Sequence, residues 1–165
     1  MRWIWIDKFI EFKSGRQAVA IKNVTLAEEY LHDHFPGFPV MPESLMIEAM
    51  AQTSGILVGE AKKFQEKVIL AKIKKAAFFD YVRPGDTIKI EAAIESIAPE
   101  AASTTGKITR GDKLIAEIDL MFSHIDQNLA GKEFPKENFV FTGMFESLLR
   151  DVLIAGAQQK PEQDQ

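Results

Sequence analysis

An α+β domain, with an antiparallel sheet wrapped around one long enclosed helix, is predicted by three observations. Residues 43–64, ESLMIEAMAQTSGILVGEAKKF, are apolar on nearly every face as far as Val58, as in a helix surrounded by protein on all sides. After Lys67 the hydrophobic period falls to two, in four strand-like runs. The turn signals RPGD (Arg83 to Asp86) and RGDK (Arg110 to Lys113) separate runs, so neighbouring strands pair as hairpins.

Each element follows from its residues. Trp3 to Phe12 is rich in aromatic and β-branched side chains, KSGR gives a turn, and QAVAIKNV follows, so the chain opens with an antiparallel hairpin. LAEEYL fits one or two helical turns. Pro36, Pro39, Pro42 and Gly37 forbid both helix and central strand, which makes residues 32–42 an ordered loop. Pro42 stands where the long helix starts, with Glu43 in the first turn, where an acid suits the helix dipole. Gly55 and Gly59 each cost that helix roughly 1 kcal/mol against alanine, a sign that another backbone comes close. The strands then complete a sheet of about six.

Residues 1–125 are read as this domain and 126–165 as an extension. A polar linker begins the extension. Helical spacing at Met144, Phe145, Leu148, Leu149, Val152 and Leu153 predicts a helix near residues 142–156, packed on the domain or on a partner. A disordered tail follows.

Composition removes several function classes. With 165 residues, 46% of them hydrophobic, the chain makes one domain with a sizeable core. A net charge of −4 argues against nucleic-acid binding. The absence of cysteine excludes thiol catalysis and a disulfide framework, and suits the cytoplasm. Asp7, Lys8 and Glu11 interrupt the apolar start, so no signal peptide is expected. No run is long enough to predict a membrane span.

The chemistry concentrates in HDHFPGFPVMPESLMIEAMAQ, residues 32–52, where an apolar helix carries the isolated Glu48, fourteen positions after His34. A carboxyl group enclosed in apolar surroundings resists ionisation and suits a general acid, and a histidine is its natural partner as base. Gln52 lies one helical turn beyond Glu48, placed to orient it. The plainer alternative puts such a glutamate at a partly exposed helix edge and makes the histidines part of the loop. His32 and His34, even with His124, supply no dependable third donor for a metal, so no metal and no cofactor are expected.

The segment HFPGFPVMP…LMIEAMAQ closely resembles the active-site segment of the 3-hydroxyacyl-acyl-carrier-protein dehydratases, which have the hot-dog fold. His34, Phe35, Pro36, Gly37, Pro39, Pro42, Glu48, Ala49, Ala51 and Gln52 fall in register with that family's pattern. Further similarity in AIKNVT, RPGD and TTGKITRGDKLIAEIDLMF extends the resemblance from about Ile6 to Phe122. It implies a homodimer, possible also as a trimer of dimers, with two central helices side by side under one continuous sheet. An acyl chain on a pantetheine arm would enter at the interface, with histidine from one subunit and acid from the other. His34 would take the proton alpha to the thioester and Glu48 would protonate the departing 3-hydroxyl. Gly37, Pro42, Glu43, Gln52 and Tyr81 would contact substrate.

Two departures stand out. The family's Pro-Gly at the helix start is Pro42-Glu43 here, which keeps a backbone N–H for the thioester oxygen but adds an anion beside it. The extension from about Asp126 is longer than family members carry. Lys62, Lys63, Lys67, Lys72, Lys74 and Lys75, with Arg83, form a local excess of positive charge; Lys62, Lys63, Lys72, Lys74, Lys75 and Arg83 are the candidates for docking an acidic carrier protein. Their alternative role is a solvated surface. Three functions stand open: a dehydratase, a hot-dog thioesterase in which Glu48 activates water, and an inactive dehydratase-like subunit.

Overall fold

A computed structural model describes residues 3–125, 134–141, 143, 145, 147–150 and 152 of the chain. Six strands, β1 (Lys8–Lys13), β2 (Gln17–Asn23), β3 (Val68–Phe78), β4 (Thr87–Ile97), β5 (Ala101–Arg110) and β6 (Lys113–His124), form one sheet in the order β1-β2-β4-β5-β6-β3. Every pairing is antiparallel. One long helix, α1 (Glu43–Ala61), packs across this sheet, and a short 3₁₀ helix spans Glu29–His32.

The expected turns supply the hairpins. Gly15, Gly85 and Gly111 all have positive φ, the left-handed conformation that a side chain disfavours. At the RPGD turn the Asp86 N–H donates to Arg83 O, and the Asp86 carboxylate accepts from the Arg83 N–H in return. The core forms where Met46, Met50, Ile56 and Leu57 of α1 meet Ile88, Ile90, Ile108, Ile118 and Leu120 of the sheet. Every residue of α1 from Ala49 to Gly59 is buried.

Three expectations change. The first strand starts at Lys8, because the buried Trp5 gives its N–H to the Gln52 side chain and not to a neighbouring strand. α1 stops at Ala61, since Lys63 and Phe64 turn into positive φ. Gly55 and Gly59 admit aromatic rings and not a second backbone: a β-carbon at 59 would overlap Phe141, and one at 55 would touch Phe122.

Within the range where a C-terminal helix is expected, residues 143, 145, 147–150 and 152 are helical. Phe141 and Leu149 join the core. Of the linker expected at 126–136 only residues 134–136 are described, and the tail expected at 158–165 lies outside the described residues.

Candidate active site

Glu48 sits one turn before Gln52 on the same face of α1, and the two are joined. Gln52 Nε2 donates to Glu48 Oε1 at 3.0 Å and to Trp3 O at 3.0 Å, while Gln52 Oε1 accepts from the Trp5 N–H at 2.8 Å. The Trp3 indole N–H reaches the same Glu48 oxygen at 3.1 Å. Two donors thus fix the carboxylate, and Gln52, only 7% exposed, staples the N-terminal segment to the helix. Glu48 itself is partly buried, not enclosed as its apolar neighbours suggest. The helix leaves that edge open, and Trp3 covers it incompletely.

The carboxylate opens onto a cavity of about 420 Å³. Ala51, Gly55 and Ile56 of α1, Val68 to Leu70 of β3, and Phe122 supply much of its apolar wall.

His34 belongs to a separate part of the protomer. Its ring stacks on Phe35 at 4.2 Å, and Nδ1 lies 3.1 Å from Val40 O. A carbonyl oxygen only accepts, so Nδ1 must carry the proton, and Nε2 of the neutral ring is left with a free lone pair. The backbone repeats the clamp: the Val40 N–H donates to His34 O, and the His34 N–H to Tyr30 O. Loop contacts thus aim the imidazole, with Met41 N–H bonded to Val82 O beyond it.

Gly37 lies at the exposed tip of the turn between Phe35 and Phe38, whose backbone groups bond in both directions at 3.3 and 2.9 Å. Its φ is ordinary and a β-carbon there would meet open space, so the protomer itself gives no reason for a glycine. Tyr81 packs edge-on against Phe38 at 5.5 Å, and the Arg83 guanidinium lies 4.5 Å above the same ring. Phe38, which sequence reasoning passed over, therefore gathers Tyr81 and Arg83 beside the histidine loop. Arg110 supports this corner, donating to Tyr81 O and bridging Asp80 and Asp86 at 2.7 Å each. The hydrogen bond from Lys113, and the Arg110 charge beside it, hold the Asp80 carboxyl at about 2.

Pro42 caps α1 without a side-chain bond, and the Glu43 side chain is exposed. The Leu45 and Met46 N–H groups bond to Pro42 O, which leaves those of Glu43 and Ser44 without an intrahelical partner. Glu43 therefore leaves a backbone donor at the helix start and sends its charge toward solvent.

The lysines differ in their surroundings. Lys74 is paired with Glu95 and Lys75 with Glu117, both on the sheet, while Lys62 and Lys63 flank the end of α1. Lys72 is exposed on β3. His124 is fully buried at the end of β6, with Pro99 O and Glu66 at its Nδ1. Among the described residues no group of three His, Asp or Glu side chains is disposed to hold a metal.

Within one protomer, then, Glu48 and Gln52 come together, and His34, Gly37, Tyr81 and Arg83 come together. The contacts of Glu48 do not include His34. Trp3 was missed because its run reads as a strand. The available signal was that both tryptophans of the chain stand at positions 3 and 5, and an indole N–H generally seeks an acceptor.

Known proteins resemble this chain at two levels. The dehydratase heterocomplex ApeI:P from Xenorhabdus doucetiae superposes with a TM-score of 0.63 at 16% identity, covering 79% of this chain and 91% of that one. Zebra fish thioesterase superfamily member 2 gives 0.55 at 12%, covering 70% and 79%. Such distant likenesses establish the hot-dog fold alone. In sequence, the 3-hydroxyacyl-[acyl-carrier-protein] dehydratase FabZ of Caldanaerobacter subterraneus subsp. tengcongensis is 39% identical over 121 residues, 73% of this chain and 86% of that protein. The FabZ of Koribacter versatilis is 43% identical over 114 residues, 68% and 73%. The FabA-like domain matches residues 3–120, which hold the whole sheet except the last residues of β6 along with α1 and the histidine loop, and the chain belongs to that family.

Proposed function

We propose that the protein dehydrates 3-hydroxyacyl chains carried as thioesters on acyl carrier protein, giving the trans-2-enoyl thioester and water in fatty-acid or related acyl-chain synthesis. The observation that carries this reading is the Glu48 carboxyl, fixed by Trp3 and Gln52 at the side of an apolar cavity. The FabZ relatives, named for this reaction, support it.

The residues divide the work. His34 Nε2, freed by the bond from Nδ1 to Val40, takes the proton from C2. The C2–H electrons form the new double bond to C3 as the C3–O bond breaks. Glu48, entering in its acid form, gives its proton to the departing oxygen, which leaves as water. The unpaired N–H groups at the start of α1, near Pro42 and Glu43, are suited to the thioester oxygen, where negative charge develops. Gly37 and Tyr81 border the entry beside His34.

Because no contact joins His34 and Glu48 within one protomer, the reading calls for a dimer whose sites combine the histidine loop of one copy with α1 of the other. β3 supports this geometry. Among the described residues it pairs only with β6, runs eleven residues along an open edge, and exposes Leu70 and Ile73. A long open edge is a template for pairing, and on β3 the apolar residues outnumber the three lysines. β1, the opposite edge, is shorter and carries Lys8, Glu11 and Lys13. We assign carrier docking to Arg83 with Lys62, Lys63 and Lys72, since Lys74 and Lys75 already have acidic partners. A chain without cysteine suits the cytoplasm, where we place the reaction.

The test is enoyl absorbance from a 3-hydroxyacyl carrier substrate, with His34→Ala and Glu48→Gln each expected to abolish it. Refolding the two variants together should restore about a quarter of wild-type activity: half the dimers are mixed, each with one complete site of two. No recovery on mixing refutes the shared site. Free thiol in place of enoyl product would make the protein a thioesterase.

A further inference from the structure

The cavity beside Glu48 has a wall that the family's own elements do not supply. The FabA-like match ends at residue 120, yet Phe139, Val140, Phe141 and Phe145 line the same cavity as Glu48. Asn138 fixes this segment. Its Nδ2 donates to Phe64 O at 2.9 Å and Glu66 O at 3.3 Å, just beyond α1, while its Oδ1 accepts from the N–H groups of Val140 and Phe141. The chain is thereby turned inward. The buried Phe141 ring settles in the gap left by Gly59 and meets Phe64 edge-on at 5.0 Å.

Position along α1 gives this contact its meaning. Glu48 and Gly59 are separated by eleven residues, about 16 Å at the helical rise. An alkyl chain that starts beside the carboxyl and follows the helix runs toward the Phe141 ring.

We propose that the C-terminal segment, through Phe141, is the end wall that limits the length of acyl chain this cavity admits. The identity of the ligand as an acyl thioester rests on the dehydratase reading; the wall itself rests on the cavity and the Asn138 anchor. Glycine at 59 is then part of the device, because any side chain there would expel the ring.

Two measurements separate the claims: kcat/KM for 3-hydroxyacyl carriers from butanoyl to hexadecanoyl, and binding of the matching saturated acyl-pantetheine thioesters. Phe141→Ala should raise the long-chain to short-chain ratio in both, by about fourfold for each methylene newly buried. Asn138→Ala removes the anchor without touching the cavity and should shift the ratio the same way; it decides the matter if Phe141→Ala does not fold. A change equal at all lengths overturns the end wall. If the wild-type protein dehydrates no chain of any length while its binding limit still moves in the variants, the wall stands and the dehydratase reading falls. Turnover with an unmoved limit leaves the dehydratase standing and removes the wall.

Discussion

Gln52→Met tests whether one buried amide organises both the N-terminal segment and the catalytic acid. Methionine keeps the length of the side chain and removes three hydrogen bonds. The Trp5 N–H loses its acceptor in a setting where Trp5 is 2% exposed, so water replaces it only to the extent that the segment loosens. Trp3 O and Glu48 lose a donor but remain within reach of solvent, Trp3 being 59% exposed. The Trp5 term dominates: an unsatisfied buried donor and the lost bonds together cost about 2–3 kcal/mol. For a chain of this size that lowers Tm by roughly 5–10 °C at fixed protein concentration. Release of Glu48 from its orienting donor should also lower kcat about 10- to 100-fold.

The assay is unusually direct, because both tryptophans lie in the stapled segment. Their emission should move to the red in Gln52→Met as Trp5 gains water. Gln52→Glu is the companion variant. It keeps an acceptor for Trp5 but replaces the donor that faces Glu48, so it should lose turnover more than its segment loosens. Unchanged Tm and unchanged emission in Gln52→Met would refute the staple.

Other outcomes follow from the same geometry. Glu43→Gly should alter turnover by less than about tenfold, against the hundredfold or more that loss of an oxyanion donor causes, and should cost about 0.3–1 kcal/mol of helix-dipole stabilisation. A large gain in kcat would mean the wild-type glutamate suppresses the site. Asp80→Asn should be less stable than wild type at neutral pH. With the Asp80 carboxyl held at about 2, mainly by Lys113, its contribution is present above the ordinary value of 3.8 and fades as pH falls through the folded value. The Tm gap should therefore close between pH 4 and pH 2, and added salt should narrow it throughout; a gap independent of pH contradicts the assignment. Ile73→Asp, on the open β3 edge, should yield a folded monomer by light scattering with no turnover, whereas an active monomer would remove the need for a shared site.

Much of the fold was legible because it depends on local patterns. The two-residue period after Lys67, the glycines in the three turns and the all-apolar stretch of α1 each specify their element without distant help. Contacts made across long separations were harder to read. Trp5 looks like a strand residue until Gln52, forty-seven positions away, takes its N–H. Gly55 and Gly59 announced close packing, but only the chain path shows that Phe122 and Phe141 fill the space. Glu48 stood out as an isolated acid, and of the two surroundings the sequence offered the structure has the partly exposed helix edge, because a run of apolar neighbours cannot reveal which edge the sheet leaves uncovered. The partners of Lys74 and Lys75 were hidden for a related reason: Glu95 and Glu117 come from other strands.

The two proposed catalytic groups are held in different ways, and that difference bears on mechanism. Glu48 rides on a helix buried along most of its length, so its position is set by the core and only its final orientation by Trp3 and Gln52. His34 rides on a loop, where proline, a tight turn and paired bonds to Val40 replace helical rigidity. A base in a loop depends on each of those restraints, although the loop ends on the buried Val40 and Met41. Phe35 stacks on the ring, and Val40 holds it by hydrogen bond, its carbonyl selecting which nitrogen carries the proton. Any change that draws Val40 O away from Nδ1 would release the tautomer as well as the orientation. The reaction is thus more exposed to damage in residues 34–42 than in α1, even though α1 contributes far more to the core.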